Sequence, residues 1–383
     1  MVEKLKLGFA CAWWTPRPST WSGTAPAVKD ALERQPVRLV SIDSQRSAIG
    51  KVALKALYAP TTTPWKYSRL HRAMTARAVR RAARAKSCDA VIAMADDDAP
   101  AGPPTFAYQD MNFSVALAHL DKGDPSWVNV MPAARPVLER LDREQRGNYA
   151  EVAGVLAMGR WFGDWLVEHQ GVPREKVHVV GAGITPPAGD LPPPRRRGRV
   201  LFVGVDFERK GGDQVTEAVS LLRQRGNDVT LAVVGPRKWP GEGPAPSWVD
   251  FGGYAGANRM DEVWSDADLL VVPSRFEAYG KVFSEALAAG RPCIGRRSYA
   301  MPELIGDGGL LVEAEAGPED LASAMLGALE DDALYDRVWR SRTDVRHTRS
   351  WDAVASRIVS VVQQYLKSGY SPAGRSPFGS GSP

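Results

Sequence analysis

Short, uninterrupted apolar runs alternate with longer amphipathic stretches along most of this chain, and that rhythm restricts its fold more than any other feature. In the first half the runs are Leu5–Cys11, Val37–Ile42, Ala90–Ala95, Phe106–Tyr108, Trp127–Met131, Val155–Met158 and Val177–Val180. In the second they are Val200–Val203, Val229–Val234, Leu269–Val272, Pro292–Gly295 and Leu310–Val312. They are continuous rather than alternating, as strands covered on both faces are. Between them lie helical patterns such as Ala25–Arg34, Arg135–Tyr149, Gly211–Arg225 and Val282–Ala289. Strand–helix alternation on this scale predicts an α/β protein with parallel sheets.

One segment breaks the rhythm. Residues 185–199, TPPAGDLPPPRRRGR, hold five prolines and two glycines and have no periodicity. They read as a semi-rigid linker. The chain of 383 residues is thereby divided into a first domain over 1–184 and a second over 200–345. A last amphipathic helix, about 350–367, is expected to cross back and brace the two. The Gly/Ser/Pro-rich end, 368–383, is expected to be disordered. Two such domains place a ligand between them, at the carboxyl ends of their strands.

Composition excludes several classes. With 49 Lys and Arg against 44 Asp and Glu the net charge is +5, too mild for a nucleic-acid binder. Three scattered cysteines, Cys11, Cys88 and Cys293, form neither a disulfide framework nor a metal knuckle, and a reducing, cytoplasmic setting is expected. No apolar window is long enough to span a bilayer, and the N-terminus reads as a first buried strand rather than a signal peptide. The five histidines show no ligand spacing. Lys66–Lys86 contains eight Lys and Arg and no acid, with Leu70, Met74 and Val79 as its larger apolar residues. It is read as a basic helix, solvated or in weak contact with the inner face of a membrane.

Two segments carry chemistry. In LFVGVDFERKGG (201–212) a buried strand ends at Gly204, Arg209 and Lys210 follow, and Gly211-Gly212 opens a helix. Cations beside a glycine-fronted helix start form an anion site suited to phosphates. In PSRFEAYGKVFSEALAAGRP (273–292) another strand leads through Gly280 into an apolar helix, with Glu277 and Glu285 eight residues apart. Were that stretch helical throughout, the two carboxylates would stand about 12 Å apart on one face. Such a pair suits a nucleotide sugar, with one carboxylate at the hexose and the other at the ribose.

Together these segments resemble the retaining nucleotide-sugar glycosyltransferases of family 4, which have the GT-B fold of two Rossmann-like domains facing across a cleft. Glu277 and Glu285 match the family's E-x7-E motif, and Arg209-Lys210 its diphosphate-binding Arg-Lys pair. The likeness covers about residues 199–330, through LAVVGP, VWSDADLLVVPS and MPELIGDGGLLVEAEAGPEDLASAM. It is looser before the linker, in AMGRWFGDWLVEHQGVPREKVHVVGAGI. Val205 departs from the family pattern, which often has Arg or Ser after the strand's glycine.

The resemblance implies transfer of a sugar, with retention, from a nucleoside-diphosphate donor to a hydroxyl of a glycan, glycolipid or small molecule. A UDP-sugar is preferred to a GDP-sugar, from the compact GVDFERKGG loop. It implies Arg209, Lys210 and Glu277 as the catalytic groups. The donor would be held by these and by Gly23, Gly204, Gly235, Tyr254, Ala278, Tyr279, Gly280, Lys281, Val282 and Glu285. Ser22-Gly23-Thr24 resembles the family's N-terminal glycine loop. Ser22, Thr24, Asp97 and Asp110 are the acceptor candidates, Asp110 because it follows a strand end. Asp96-Asp97-Asp98 is read as a cap or acceptor contact rather than a metal motif, and no cofactor or divalent metal is expected. Rival readings are an epimerase or phosphorylase of the same fold, and a non-catalytic sugar-nucleotide sensor.

Overall fold

The computed structural model describes residues 4–13, 16–45, 47–61, 63–94, 102–123, 134–187, 189, 191–195, 198–256 and 259–368. The expected strand Trp127–Met131, the triplet Asp96–Asp98 and residues 369–383 lie outside the described residues.

Two six-stranded sheets carry the chain, and every pairing in them is parallel. The first comprises β1 (Lys6–Cys11), β2 (Arg38–Asp43), β3 (Ala90–Met94), β4 (Thr105–Gln109), β5 (Gly154–Ala157) and β6 (Val177–Val179), in the order β2-β1-β3-β4-β5-β6. Around it lie α1 (Thr24–Glu33), α2 (Ala48–Tyr58), α3 (Arg69–Ala85), α4 (Phe113–Asp121), α5 (Arg135–Glu151) and α6 (Arg160–Gln170). The second comprises β7 (Arg199–Val203), β8 (Thr230–Val234), β9 (Val249–Gly253), β10 (Leu269–Val271), β11 (Cys293–Arg296) and β12 (Gly309–Val312), ordered β12-β11-β10-β7-β8-β9. Its helices are α7 (Gly212–Gln224), α8 (Met260–Asp266), α9 (Lys281–Ala288), α10 (Met301–Ile305), α11 (Pro318–Glu330) and α12 (Asp332–Thr348), followed by α13 (Trp351–Lys367).

The continuous apolar runs form the buried centres of both sheets. Leu7, Phe9, Ile92 and Phe106 in one, and Leu201, Phe202, Leu231, Leu269 and Val271 in the other, are wholly inaccessible. Each such side chain contributes roughly 1.5–3 kcal/mol by leaving water. The edge strand β9 is absent from the sequence reading. Its VDFGG sequence pairs only with β8 and is buried only at Val249, so it needs no continuous apolar run.

Strand order positions the cleft. In the second sheet the chain winds outward from β7 on one side and from β10 on the other, so the loops leaving these neighbours diverge. A crevice opens there, at the carboxyl ends of the strands. The loops involved are 204–211 and 272–280, the two segments singled out above. In the first sheet the corresponding reversal lies between β1 and β3, and the loop after β1 leads to Gly23.

Helix α13 lies against the first sheet's side of the molecule. Asp352 pairs with Arg34 beyond α1 (2.7 Å), Arg357 Nε donates to Val180 O (2.8 Å), and Tyr365 meets Phe106 edge-on (5.3 Å). Ser350 caps its first turn through Ala353 N (3.1 Å). The basic segment is not one helix over 66–86. A 3-10 turn at Trp65–Tyr67 precedes Ser68, which caps α3, and Val79 packs inward with Ala10 and Ile42 instead of joining the outer apolar face.

Among the described residues no helix is long and apolar enough to cross a membrane. No metal-binding cluster of His, Cys, Asp and Glu occurs among them either.

Candidate active site

The loop after β7 begins where Gly204 N donates to Val234 O (2.8 Å). A Cβ at Gly204 would stand 2.9 Å from Lys210 Cγ, so the missing side chain is what admits the lysine stem over the strand end. Arg209 and Lys210, adjacent in sequence, do different things. Arg209 Nε donates to Asp206 Oδ2 (2.9 Å) and its Nη1 to Phe276 O (2.7 Å), tying the β7 loop to the β10 loop. Lys210 Nζ instead pairs with Glu277 Oε2, to which Ser274 Oγ also donates (3.3 Å). Arg275 adds a bidentate pair to Asp213 in the first turn of α7 (2.8 and 2.6 Å).

Gly280, at φ +92°, caps α9 in the left-handed region that a glycine adopts without strain. The helix therefore starts at Lys281, so the condition of helical geometry from Glu277 to Glu285 is not met. Glu277 stands in the loop and Glu285 in the second turn, with the helix start between them. The Glu285 carboxylate accepts no protein hydrogen bond among the described residues. Burial pushes its carboxyl above the usual range, while Lys281 and Lys210 hold it down.

Lys281 crosses the cleft. Its Nζ donates to Ser22 O (2.9 Å) and to Thr24 Oγ1 (3.2 Å), at the start of α1. Burial lowers its pKa, and Glu285 and Asp110 pull the other way. The loop it reaches is unusual. Trp21, Ser22 and Gly23 all have positive φ, at 53°, 51° and 82°. Two non-glycine residues held in that region cost of order 1–3 kcal/mol each and point to a constrained functional loop.

Asp110, at the carboxyl end of β4, belongs to the same charge cluster. Burial pushes its carboxyl up to about 6; its own backbone N–H opposes this, Glu277 adds to it and Lys281 opposes it. By its accessible surface Asp110 is half-buried. Because the folded-state pKa is raised above 3.8, the ionised carboxylate destabilises the fold above pH 6, and that penalty vanishes below pH 4. Asp110→Asn is therefore expected to stabilise the protein at pH 7.5 by roughly 1–3 kcal/mol and to lose that gain by pH 4. Thermal melts of both proteins at the two pH values check this; an equal difference at both would refute it.

The remaining candidates divide into two groups. Gly204, Gly235 and Gly253-Tyr254 line the carboxyl ends of β7, β8 and β9, where Gly235 N donates to Gly253 O (2.8 Å). Tyr254 is 59% exposed, with the Arg237 guanidinium 5.8 Å from its ring centre, and Val205 is 67% exposed. Ala278, Tyr279 and Val282 serve packing between the halves. Ala278 O accepts from Trp161 Nε1 (2.7 Å), Tyr279 donates to Ala182 O (3.3 Å), and Val282 is buried. Asp97 lies outside the described residues.

Several residues at this junction went unread in the sequence. Phe276, His119, Trp161 and Tyr299 form one aromatic cluster, in which Tyr299 OH lies 2.7 Å from His119 Nε2. Glu303 accepts from Arg160 N (2.7 Å) and Trp161 N (3.4 Å), so a carboxylate of α10 caps α6 from the opposite half. Partners 143 residues apart leave no local pattern to find.

Comparison with known proteins bears on the fold and on the second half of the chain. A family described as Glycosyl transferases group 1 matches residues 197–331. D-inositol 3-phosphate glycosyltransferase of Corynebacterium glutamicum is 28% identical over 224 residues, 51% of this chain and 53% of that protein. A GDP-mannose-dependent alpha-mannosyltransferase of Corynebacterium glutamicum is 27% identical over 169 residues, 42% of this chain and 38% of that protein. The chain thus spans about half the length, or less, of these curated relatives. A glycosyltransferase from Rickettsia africae superposes over 95% of this chain and 99% of its own, with a TM-score of 0.65 at 13% identity. Residues 197–331 accordingly match the family described as Glycosyl transferases group 1, in a chain with the GT-B fold.

Proposed function

We propose that this protein transfers a sugar, with retention of configuration, from a nucleoside-diphosphate sugar to an acceptor hydroxyl. The observation that carries this is the meeting of Lys210, Glu277 and the start of α9 at the point where the second sheet reverses its order. The backbone N–H groups after Gly280 and the Lys210 ammonium face the position a diphosphate would take, and stabilise charge as it leaves. Glu277 engages the transferred hexose and favours positive character at its anomeric carbon. Glu285, with its carboxylate unclaimed, accepts ribose hydroxyls. Tyr254 and the backbone at Gly235 border the base.

Asp110 and the Ser22–Thr24 loop face this cluster from the first domain and orient the acceptor. In the transfer the bond from the anomeric carbon to phosphate oxygen breaks as the acceptor oxygen bonds the same face. The acceptor proton passes to the departing phosphate oxygen, so no separate base is required. The Glu303 cap and the aromatic cluster hold the halves together and exclude water.

A UDP-sugar is the expected donor. A GDP-sugar is the second reading, favoured by the GDP-mannose-dependent relative. The three buried cysteines, none of them in a disulfide among the described residues, fit a reducing, cytoplasmic setting. Nucleotide sugars are to be screened by thermal shift, since a ligand at 100 times its dissociation constant stabilises by about 2.7 kcal/mol. Release of nucleoside diphosphate from the best donor is then followed with and without EDTA. Turnover unaffected by EDTA is expected, because Lys210 and the helix start already neutralise the diphosphate. Binding without release would make the protein a sensor, and loss of activity restored by Mn²⁺ would overturn the metal-free mechanism.

A further inference from the structure

Residues 44–88 contain 11 Lys and Arg and not one Asp or Glu. Elsewhere 38 cations face all 44 acids, so the rest of the chain is net negative. This segment builds α2 and α3, and α2 is amphipathic in the outward sense. Ile49, Val52, Ala53, Ala56 and Leu57, spaced i, i+3, i+4, i+7 and i+8, make one helical stripe. That stripe faces solvent, with Ile49 83%, Val52 66% and Leu57 58% exposed, whereas Leu54 on the opposite side is buried. Lys55 lies beside the stripe next to Val52, while Lys51 is on the Leu54 side. In α3 the exposed Leu70 and Met74 are followed on the same face by Arg77 and Arg81. Of the ten large apolar side chains exposed among the described residues, five lie on these two helices.

Among the described residues, acid from elsewhere reaches only part of this surface. Glu144 of α5 takes Arg69 (2.7 Å) and Arg72 (3.2 Å), which are therefore left out of the patch. Lys55, Lys66, Arg77 and Arg81 remain as its cations. A stripe of exposed aliphatic side chains with basic residues beside it is what lies in the plane of a lipid–water interface, and the cations attract anionic headgroups. A second copy of the chain would bring two such positive faces together, which is repulsive. A nucleic acid would use the cations and leave Ile49, Val52 and Leu57 without purpose.

We propose that α2 and the exposed face of α3 dock this protein on an anionic bilayer surface. The docking concerns the outer face of the first domain and stands independently of the sugar-transfer reading.

Vesicle co-sedimentation of the full chain tests it. Vesicles of phosphatidylcholine alone are compared with vesicles containing a third phosphatidylglycerol, at low and high salt. Pelleting with the anionic vesicles, weakened by salt, is expected. I49S/V52S/L57S and, separately, R77Q/R81Q should each weaken it by about tenfold or more. These positions are exposed, so unchanged melting temperatures show that the fold persists. Failure to pellet, or pelleting unaffected by either set, would overturn the proposal. So would concentration-dependent dimerisation abolished by I49S/V52S/L57S without vesicle binding, or binding to a DNA duplex as tight as to the vesicles and indifferent to that triple change.

Discussion

Lys210→Ala is expected to lower kcat by about 100-fold or more at saturating donor, the scale on which loss of one preorganised charge stabiliser acts. The effect has two parts. The ammonium is removed from the place where the leaving diphosphate gathers charge. Its partner Glu277 also keeps its carboxylate, held now only by Ser274 Oγ at 3.3 Å, and that carboxylate would repel the diphosphate. Arg209→Ala should behave differently. Its side chain spends two of its donors on Asp206 and on Phe276 O, so its loss should loosen the two loops and reduce stability together with rate. Rapid-quench turnover and thermal melting of both variants separate the cases. Normal turnover in a folded Lys210→Ala protein would remove that residue from the mechanism.

The second large effect divides the two glutamates. Glu277 is buried in the loop before α9 and joined to Lys210, next to the position of the transferred sugar. Charge develops there only on the way to the transition state. Glu277→Gln should therefore depress kcat, by about 100-fold, with little change in donor KM. Glu285 lies beyond the helix start, and its carboxylate is free of protein hydrogen bonds among the described residues. Hydroxyl bonds made there are equal in ground and transition states, so Glu285→Gln should raise donor KM with kcat nearly unchanged. Steady-state kinetics with varied donor at saturating acceptor decide it. The opposite pattern would mean that the donor lies the other way round.

Much of the architecture could be read from local sequence because parallel strands covered on both faces are continuous apolar runs. Among the described residues eleven of the twelve strands coincide with such runs, and β9 does not because its VDFGG sequence, with Asp250 and two glycines, is buried only at Val249. The glycine-fronted loops could be read for the same reason. Gly204 and Gly280 stand where strand turns to helix, and the cations and carboxylates beside them are neighbours in the chain.

What local sequence left open is everything made by contact across the cleft. Lys210 and Glu277 are 67 residues apart, and only the adjacency of β7 and β10 brings them together. Lys281 reaches Ser22 and Thr24 across more than 250 residues. Asp110 owes its raised pKa chiefly to burial that the folded protein supplies. The outward stripe of α2 has the spacing of a core-facing helix, and only the fold shows that it meets no core. Hydrophobic periodicity and turn residues act over a few positions, so they specify elements and their ends. Charge coupling and burial act through space, so they belong to the assembled sheets.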